Sequence, residues 1–267
     1  VAVEVPAAWA TAEDACACEK KLEGREEVVN FVKNILEPVN AQKGDDLPVS
    51  TFIGYEDGTI DVGLTAYEKR NIAAKVPAWN SAACLQCNRC SLVCPHAAIR
   101  PYLLTDDELA GAPEGLVAVP AKGGAARGYH YTLQISTADC SGCGSCVASC
   151  PAKPQAIEMV GNTFPINSPA WSYTLGLDDK TDLFDRYTVK GSQFCRPLLE
   201  FSAACAGCGE TPYAKLLTQL YGDRMSMSST RLDSYVGCPF GYFCKYTLSL
   251  SEESRAVPLE CRGWSLP

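Results

Sequence analysis

The sequence predicts an α+β fold in which a duplicated, cysteine-rich unit is flanked by irregular segments, and three observations carry that prediction. Cys84, Cys87, Cys90 and Cys94-Pro95 recur as Cys140, Cys143, Cys146 and Cys150-Pro151, every cysteine displaced by the same 56 positions (84 to 140, 94 to 150). An Ala-Ile pair follows each run, Ala98-Ile99 and Ala156-Ile157, as duplication of one unit would produce. Both short periods occur as well. Tyr129-His-Tyr-Thr-Leu-Gln-Ile135 alternates like a strand entering the second unit, and Tyr213-Ala-Lys-Leu-Leu-Thr-Gln-Leu220 has helical spacing.

The elements follow in order. Thr11-Ala-Glu-Asp14 reads as a helix start. Apolar residues at 28, 29, 31, 32, 35 and 36 form a helical stripe that Pro38 should stop. Phe52 to Gly58 reads as a turn-rich connection, closed by Asp57-Gly58. Between the two cysteine runs lies a long insert, Arg100 to Asp139, which includes the glycine-rich Lys122–Gly128. Residues 158–200, with Pro165, Pro169 and Asp178-Asp179, read as a connection over a surface. From Ser226 the texture becomes serine-rich and unpatterned.

Composition narrows the function. With 267 residues, 47% of them apolar and 20% charged, the chain can bury a core, which excludes disorder throughout. A net charge of −8 makes non-specific nucleic-acid binding a poor reading and suits a basic partner or an electron carrier. No apolar run is long enough to span a membrane. Val1-Ala-Val-Glu-Val-Pro6 has neither the basic head nor the apolar stretch of a signal peptide; it lacks Met, so the chain is expected to begin inside a longer protein.

Sixteen cysteines are the abnormal number. C-x2-C-x2-C-x3-C-P is the spacing of bacterial ferredoxins that hold [4Fe–4S] clusters. Three thiolates two residues apart wrap one face of a cubane, and the fourth iron takes its ligand from elsewhere. In two-cluster proteins of this spacing the fourth cysteine ligates the other cluster. The expected sets are therefore Cys84, Cys87, Cys90 and Cys150 for one cluster, and Cys140, Cys143, Cys146 and Cys94 for the second. Gly142, Gly144 and Ser145 should let backbone amides approach the sulfurs. Zinc and disulfides are the rivals. Zinc sites pair two C-x2-C hooks across a longer gap, and a chain of this length has no need of disulfides to replace a core.

Other residues carry weaker signals. Cys205-Ala-Gly-Cys208 offers two ligands of a further site or two structural thiols at a helix start. Cys16 and Cys18 read as unligated, and His96 and His130 as structural. Asp106-Asp107-Glu108 is either a partner-facing patch or, more simply, a solvated face.

The segments Thr65-Ala-Tyr-Glu-Lys-Arg70, Cys84-Leu-Gln-Cys-Asn-Arg-Cys-Ser-Leu-Val-Cys-Pro-His-Ala-Ala-Ile-Arg-Pro101, Tyr187-Thr-Val-Lys-Gly-Ser-Gln193 and Phe201-Ser-Ala-Ala-Cys-Ala-Gly-Cys-Gly-Glu-Thr-Pro-Tyr213 resemble pyruvate:ferredoxin (flavodoxin) oxidoreductase, from about residue 1 to Arg224. The resemblance implies a thiamine-diphosphate enzyme, loaded with Mg and built as a homodimer. It would oxidise pyruvate with coenzyme A to acetyl-CoA and CO2, and pass electrons through three [4Fe–4S] clusters to ferredoxin or flavodoxin. It implies these divisions: 1–75 a flanking segment, 76–165 a ferredoxin-like two-cluster domain, 166–200 a connection, 201–225 the start of the thiamine-diphosphate domain, and 226–267 an atypical tail. Cys205 and Cys208 would be two ligands of the third cluster, the one nearest thiamine.

The resemblance fails after Arg224-Met225, where the family's Asn-Ala-Thr-Gly-Cys stretch is missing. Met227 to Asp233 can be encoded by codons that, read two bases later, give Val-Ile-Asn-Ala-Thr-Gly, so a frameshifted tail is expected and Cys238, Cys244 and Cys261 are not assigned as ligands. The polypeptide by itself is not expected to decarboxylate pyruvate. A free-standing two-cluster ferredoxin and a pyruvate:NADP oxidoreductase are the alternatives. Oxygen-sensitive clusters imply an anaerobic setting, in the cytoplasm or in a hydrogenosome or mitochondrion-like organelle.

Overall fold

Among the described residues, five strands and eight short α-helices, joined by 3-10 and π-helical turns, build the structure, a computed structural model that describes residues 22, 24–58, 60, 63–164 and 168–222. The chain divides into a unit Val1–Leu220 and a second unit Tyr221–Pro267, and the description below concerns the first. Thr11–Asp14, Cys16, Cys18 and the tail from Ser226, with Cys238, Cys244 and Cys261, lie outside the described residues.

The strands are β1 (Lys75–Trp79), β2 (Ile99–Leu104), β3 (Val119–Pro120), β4 (His130–Ile135) and β5 (Ile157–Gly161). β1 and β5 form an antiparallel pair running from Lys75 opposite Gly161 to Trp79 opposite Ile157. β2 and β4 form a second, from Ile99 opposite Ile135 to Leu104 opposite His130, with β3 on the far side of β4. The strand leading into the first cysteine run thus pairs with the strand leaving the second, and the strand leaving the first with the strand leading into the second. Pro77, Pro101 and Pro120 all sit on edge strands, where the missing N–H removes no ladder bond from a sheet centre.

The helical stripe appears as α1 (Glu26–Phe31), a π-helical turn (Val32–Leu36) and α2 (Glu37–Asn40), burying Val28, Phe31, Val32 and Ile35. Pro38 does not stop it. The wider turn ahead of it leaves Pro38 in the first turn of α2, where its missing N–H breaks no bond, and the helix runs on to Asn40.

Each cysteine loop closes on a helix of one turn, α3 (Arg89–Leu92) in the first run and α5 (Ser145–Ala148) in the second. The insert between the runs supplies β2, β3 and β4 together with α4 (Asp106–Ala110). The acidic run is the start of α4. Thr105 and Glu108 form a reciprocal cap, Glu108 N–H to Thr105 Oγ1 at 3.2 Å and Thr105 N–H to Glu108 Oε2 at 2.7 Å. Residues 158–200 are more than a surface connection. They carry α6 (Pro169–Leu175) and α7 (Val189–Ser192), and Trp171, Thr174, Phe194 and Cys195 are buried. Thr211–Tyr221 is α8, with Lys215 and Gln219 on its buried side.

The core is continuous across both cysteine runs. Ala98, Ile99, Leu103, Tyr131, Leu133, Ala156, Ile157 and Phe194 pack in one cluster with Cys84, Cys90, Cys94 and Cys146. The cysteines are therefore positioned by burial of apolar surface around them, the dominant stabilising term in such a core.

Candidate iron–sulfur site

The two loops share one backbone solution. Residues 86 and 88 of the first and 142 and 144 of the second all have positive φ (57°, 60°, 70° and 77°), at the same place in each repeat. This conformation turns an N–H onto the first sulfur of each run, Gln86 N–H to Cys84 Sγ at 3.3 Å and Gly142 N–H to Cys140 Sγ at 3.3 Å. The second loop uses glycine, as the sequence led one to expect. The first uses Gln86 and Asn88, for which left-handed backbone is strained. Buried side-chain bonds hold them there. Gln86 Nε2 donates to Pro120 O (2.9 Å) and its Oε1 accepts from Lys122 N–H (2.6 Å). Asn88 Nδ2 donates to Lys190 O (2.9 Å) and its Oδ1 accepts from Tyr131 O–H (2.9 Å). Sequence reasoning passed over both residues, because neither carries the glycine signal.

Cys94, Cys140, Cys143 and Cys146 line one small cavity of about 20 Å³, partly open to solvent, with Pro95, His96 and Ser141 in its wall. Three of these thiols come from the second run and the fourth from the first. Ser141 Oγ and His96 Nε2 are buried there without a protein partner. The other His96 nitrogen, Nδ1, lies 3.0 Å from Ser202 O. Burial pushes the Cys146 thiol up to about 12, with Cys94, Cys140 and Cys143 adding to the rise. Burial also takes Cys140 up to about 11, opposed by the Gly142 N–H and assisted by Cys94 and Cys143.

Around the first loop, burial raises the Cys90 thiol strongly, and Cys84, Cys146 and Cys87 add to it. Cys150, two residues past α5, packs against the core that contains Cys84 and Cys90. Thiols held this far above neutrality keep their protons until a metal displaces them. Among the described residues no three His, Cys, Asp or Glu side chains converge on the position of a single metal ion. The donor set of thiols, sulfur-directed amides and a buried unpartnered hydroxyl fits an iron–sulfur cluster.

Three anchors fix the loops. Lys69 bonds Asp139 at 2.5 Å, and Ser136 Oγ donates to the same oxygen, so the Glu68-Lys69-Arg70 segment holds the residue just before Cys140. Arg100 pairs with Glu200 and lies over Trp171 and Phe201, 5.1 and 5.2 Å from the ring centres. Lys215 of α8 donates to Ser91 O and to Cys94 O (3.1 Å) just past α3. Burial lowers the Lys215 pKa to about 8.

Cys205 and Cys208 lie on a loop whose Gly207 rests on the second cysteine run. A Cβ at Gly207 would stand 3.5 Å from Cys143 Cβ and 3.7 Å from Ser145 Oγ. Thr211 Oγ1 donates to Cys208 Sγ at 3.1 Å and, with the Thr211 and Glu210 amides, holds that thiol below its ordinary pKa. His130 Nε2 lies 2.7 Å from Asp106 Oδ1.

Comparison with known proteins gives this geometry its context. Residues 83–154 match a 4Fe-4S dicluster domain, and residues 18–73 match a domain of unknown function. The chain is 51% identical to a pyruvate-flavodoxin oxidoreductase of Klebsiella pneumoniae, over 85% of its own length and 19% of the relative's. It is 47% identical to a pyruvate:ferredoxin oxidoreductase of Moorella thermoacetica, over 92% of its length and 21% of the relative's. A pyruvate dehydrogenase [NADP(+)] of Cryptosporidium parvum matches at 52% identity over 76% of the chain and 10% of the relative. By sequence the chain matches a segment of the pyruvate:ferredoxin and pyruvate-flavodoxin oxidoreductases. It spans about a fifth of the length of those two relatives. Among the described residues no helix is long and apolar enough to cross a membrane.

Proposed function

We propose that this chain is the electron-relay segment of a pyruvate oxidoreductase, one that converts pyruvate and coenzyme A to acetyl-CoA and CO2 and delivers electrons to ferredoxin or flavodoxin. The observation that carries the proposal is the cavity lined jointly by Cys94 of the first run and Cys140, Cys143 and Cys146 of the second. That sharing is what two halves of a duplicated ferredoxin-like domain, exchanging their last ligand, require. The reciprocal strand pairing supports the same duplication.

In this reading Cys84, Cys87, Cys90 and Cys150 hold one [4Fe–4S] cluster and Cys94, Cys140, Cys143 and Cys146 the other. When bound, such clusters store and pass single electrons. The chain's own residues do the rest. Gln86 and Gly142 aim amides at sulfur, and the apolar core excludes water. The Cys205–Cys208 loop, resting on the Cys143 loop, is the entry side. The Cys84–Cys87 loop is the exit side, where Lys122 Nζ donates to Cys84 O at 2.7 Å. The Cys205 and Cys208 pair belongs to a third cluster completed, together with the thiamine diphosphate and Mg site, only in the whole enzyme, a homodimer of the cytoplasm or of a mitochondrion-like organelle.

The test is stopped-flow oxidation of the anaerobically reduced chain by flavodoxin or ferredoxin. Rapid transfer is expected in the parent and a loss of at least tenfold in Cys94→Ala; equal rates in both would refute the relay. The NADP-linked relative at 52% identity favours a second reading, in which the acceptor is a flavin reductase domain of the same polypeptide. Nucleic acid above the start of this coding region, and below its end, would distinguish the two.

A further inference from the structure

Lys215 is the least expected charge in the molecule. It is 1% exposed, in the middle of α8, and its ammonium bonds only main-chain carbonyls, those of Ser91 and Cys94. Among the described ion pairs no carboxylate meets it. Burying an unpaired ammonium is strongly unfavourable unless something anionic lies close by. The two carbonyls that receive it lie in α3 and just past it, Ser91 beside Cys90 and Cys94 itself. On the reading above, those two cysteines belong to different clusters. A lysine placed only to cap α3 could do so from the surface; this one is carried into the core by a helix that starts three residues after Cys208.

We propose that Lys215 is a positioning residue that fixes a positive charge between the two cysteine sets and thereby raises the reduction potential of the clusters they hold. The inference rests on the cluster reading of those sets. The step it governs is one-electron reduction of a [4Fe–4S]2+ centre to [4Fe–4S]1+. One electron arrives from an external reductant, no bond to the protein forms or breaks, and the four-thiolate assembly gains one negative charge. A neighbouring cation stabilises the added charge, and net charge is one of the levers that set such potentials. Two unit charges about 10 Å apart at an effective dielectric of about 20 shift an equilibrium roughly tenfold. The helix that follows the Cys205–Cys208 pair would in this way poise the centres to which that pair passes electrons.

The experiment is an EPR-monitored redox titration of the full 267-residue chain, loaded anaerobically with iron and sulfide. The variants are Lys215→Gln, which keeps a donor without the charge, Lys215→Met, which keeps neither, and Lys215→Arg. In both neutral variants the ratio of reduced to oxidised cluster at fixed potential should fall about tenfold for at least one centre, a shift of about 59 mV. The arginine variant should stay within about twofold of the parent. Neutral variants with full iron content and unmoved midpoints would overturn the inference. So would loss of iron from both, which would make Lys215 a folding residue only. A parent chain that takes up no iron or sulfide would instead sink the cluster reading itself.

Discussion

Asn88 sets two energetic terms against each other, and the structure says which should win. Its backbone is left-handed (φ 60°), a conformation that costs a non-glycine residue roughly 1–2 kcal/mol, less for Asn than for most. The second loop uses glycine at the equivalent position, Gly144 (φ 77°). Asn88→Gly would therefore relieve about 1 kcal/mol of strain, partly offset by the greater freedom of glycine in the unfolded chain. The same change removes two side-chain bonds, one from Tyr131 O–H and one to Lys190 O, both 2.9 Å. Tyr131 is 1% exposed, so its hydroxyl is left buried without a partner, at about 1–3 kcal/mol. The carbonyl of Lys190, on a half-buried residue, loses less. The balance is a net destabilisation of about 1–3 kcal/mol. For a unit of this size that lowers the melting temperature by roughly 3–10 °C. Circular dichroism melts of the loaded chain, compared with Tyr131→Phe, would measure it. A melting temperature equal to or above the parent's would show that backbone strain outweighs the side-chain bonds, and that the account of how the first loop is held is wrong.

Three further outcomes are expected. Gly142→Ala should destabilise more than Gly144→Ala, because an added Cβ at 142 meets Lys75 O at 3.1 Å and Ala73 Cβ at 3.3 Å, whereas at 144 it meets nothing within 4 Å; equal melts of the two variants would refute this. Lys69→Met leaves Asp139, whose side chain is 1% exposed, as an uncompensated buried charge beside Cys140, and should cost about 3 kcal/mol with faster loss of iron to a chelator; unchanged loss would discount the anchor. In the iron-free chain, Cys140 and Cys146 titrate above their ordinary value of 9.0, at about 11 and about 12. Folded values raised in this way favour the protonated thiols, so their contribution to stability is full below pH 9 and is lost as pH rises through 11 to 12. A denaturation midpoint that is flat or rising over that interval would contradict the burial that causes the shift.

The two cysteine loops are legible in the sequence because their spacing repeats. The 56-residue displacement and the closing prolines locate both loops, and the alternation at 129–135 locates β4. The number of thiolates one loop can present leads one to expect Cys94 near the second run, and it lines the same cavity as Cys140, Cys143 and Cys146. The supporting residues were not legible. Gln86 and Asn88 do what glycine does elsewhere, by means of tertiary hydrogen bonds that leave no local signal. Pro38 reads as a stop, yet a π-helical turn seats it at a helix start. Residues 158–200 carry turn-formers, but Trp171 and Phe194 bury them against the core. Lys215 looks like a solvent-facing lysine of an amphipathic helix, and only the fold sets the Ser91 and Cys94 carbonyls in front of it.

The most direct test of the central claim is the iron and acid-labile sulfide content of the anaerobically loaded chain. Two thiolate-held cubanes predict about eight irons and about eight sulfides per polypeptide. A colourless preparation that carries zinc and no inorganic sulfide would contradict it.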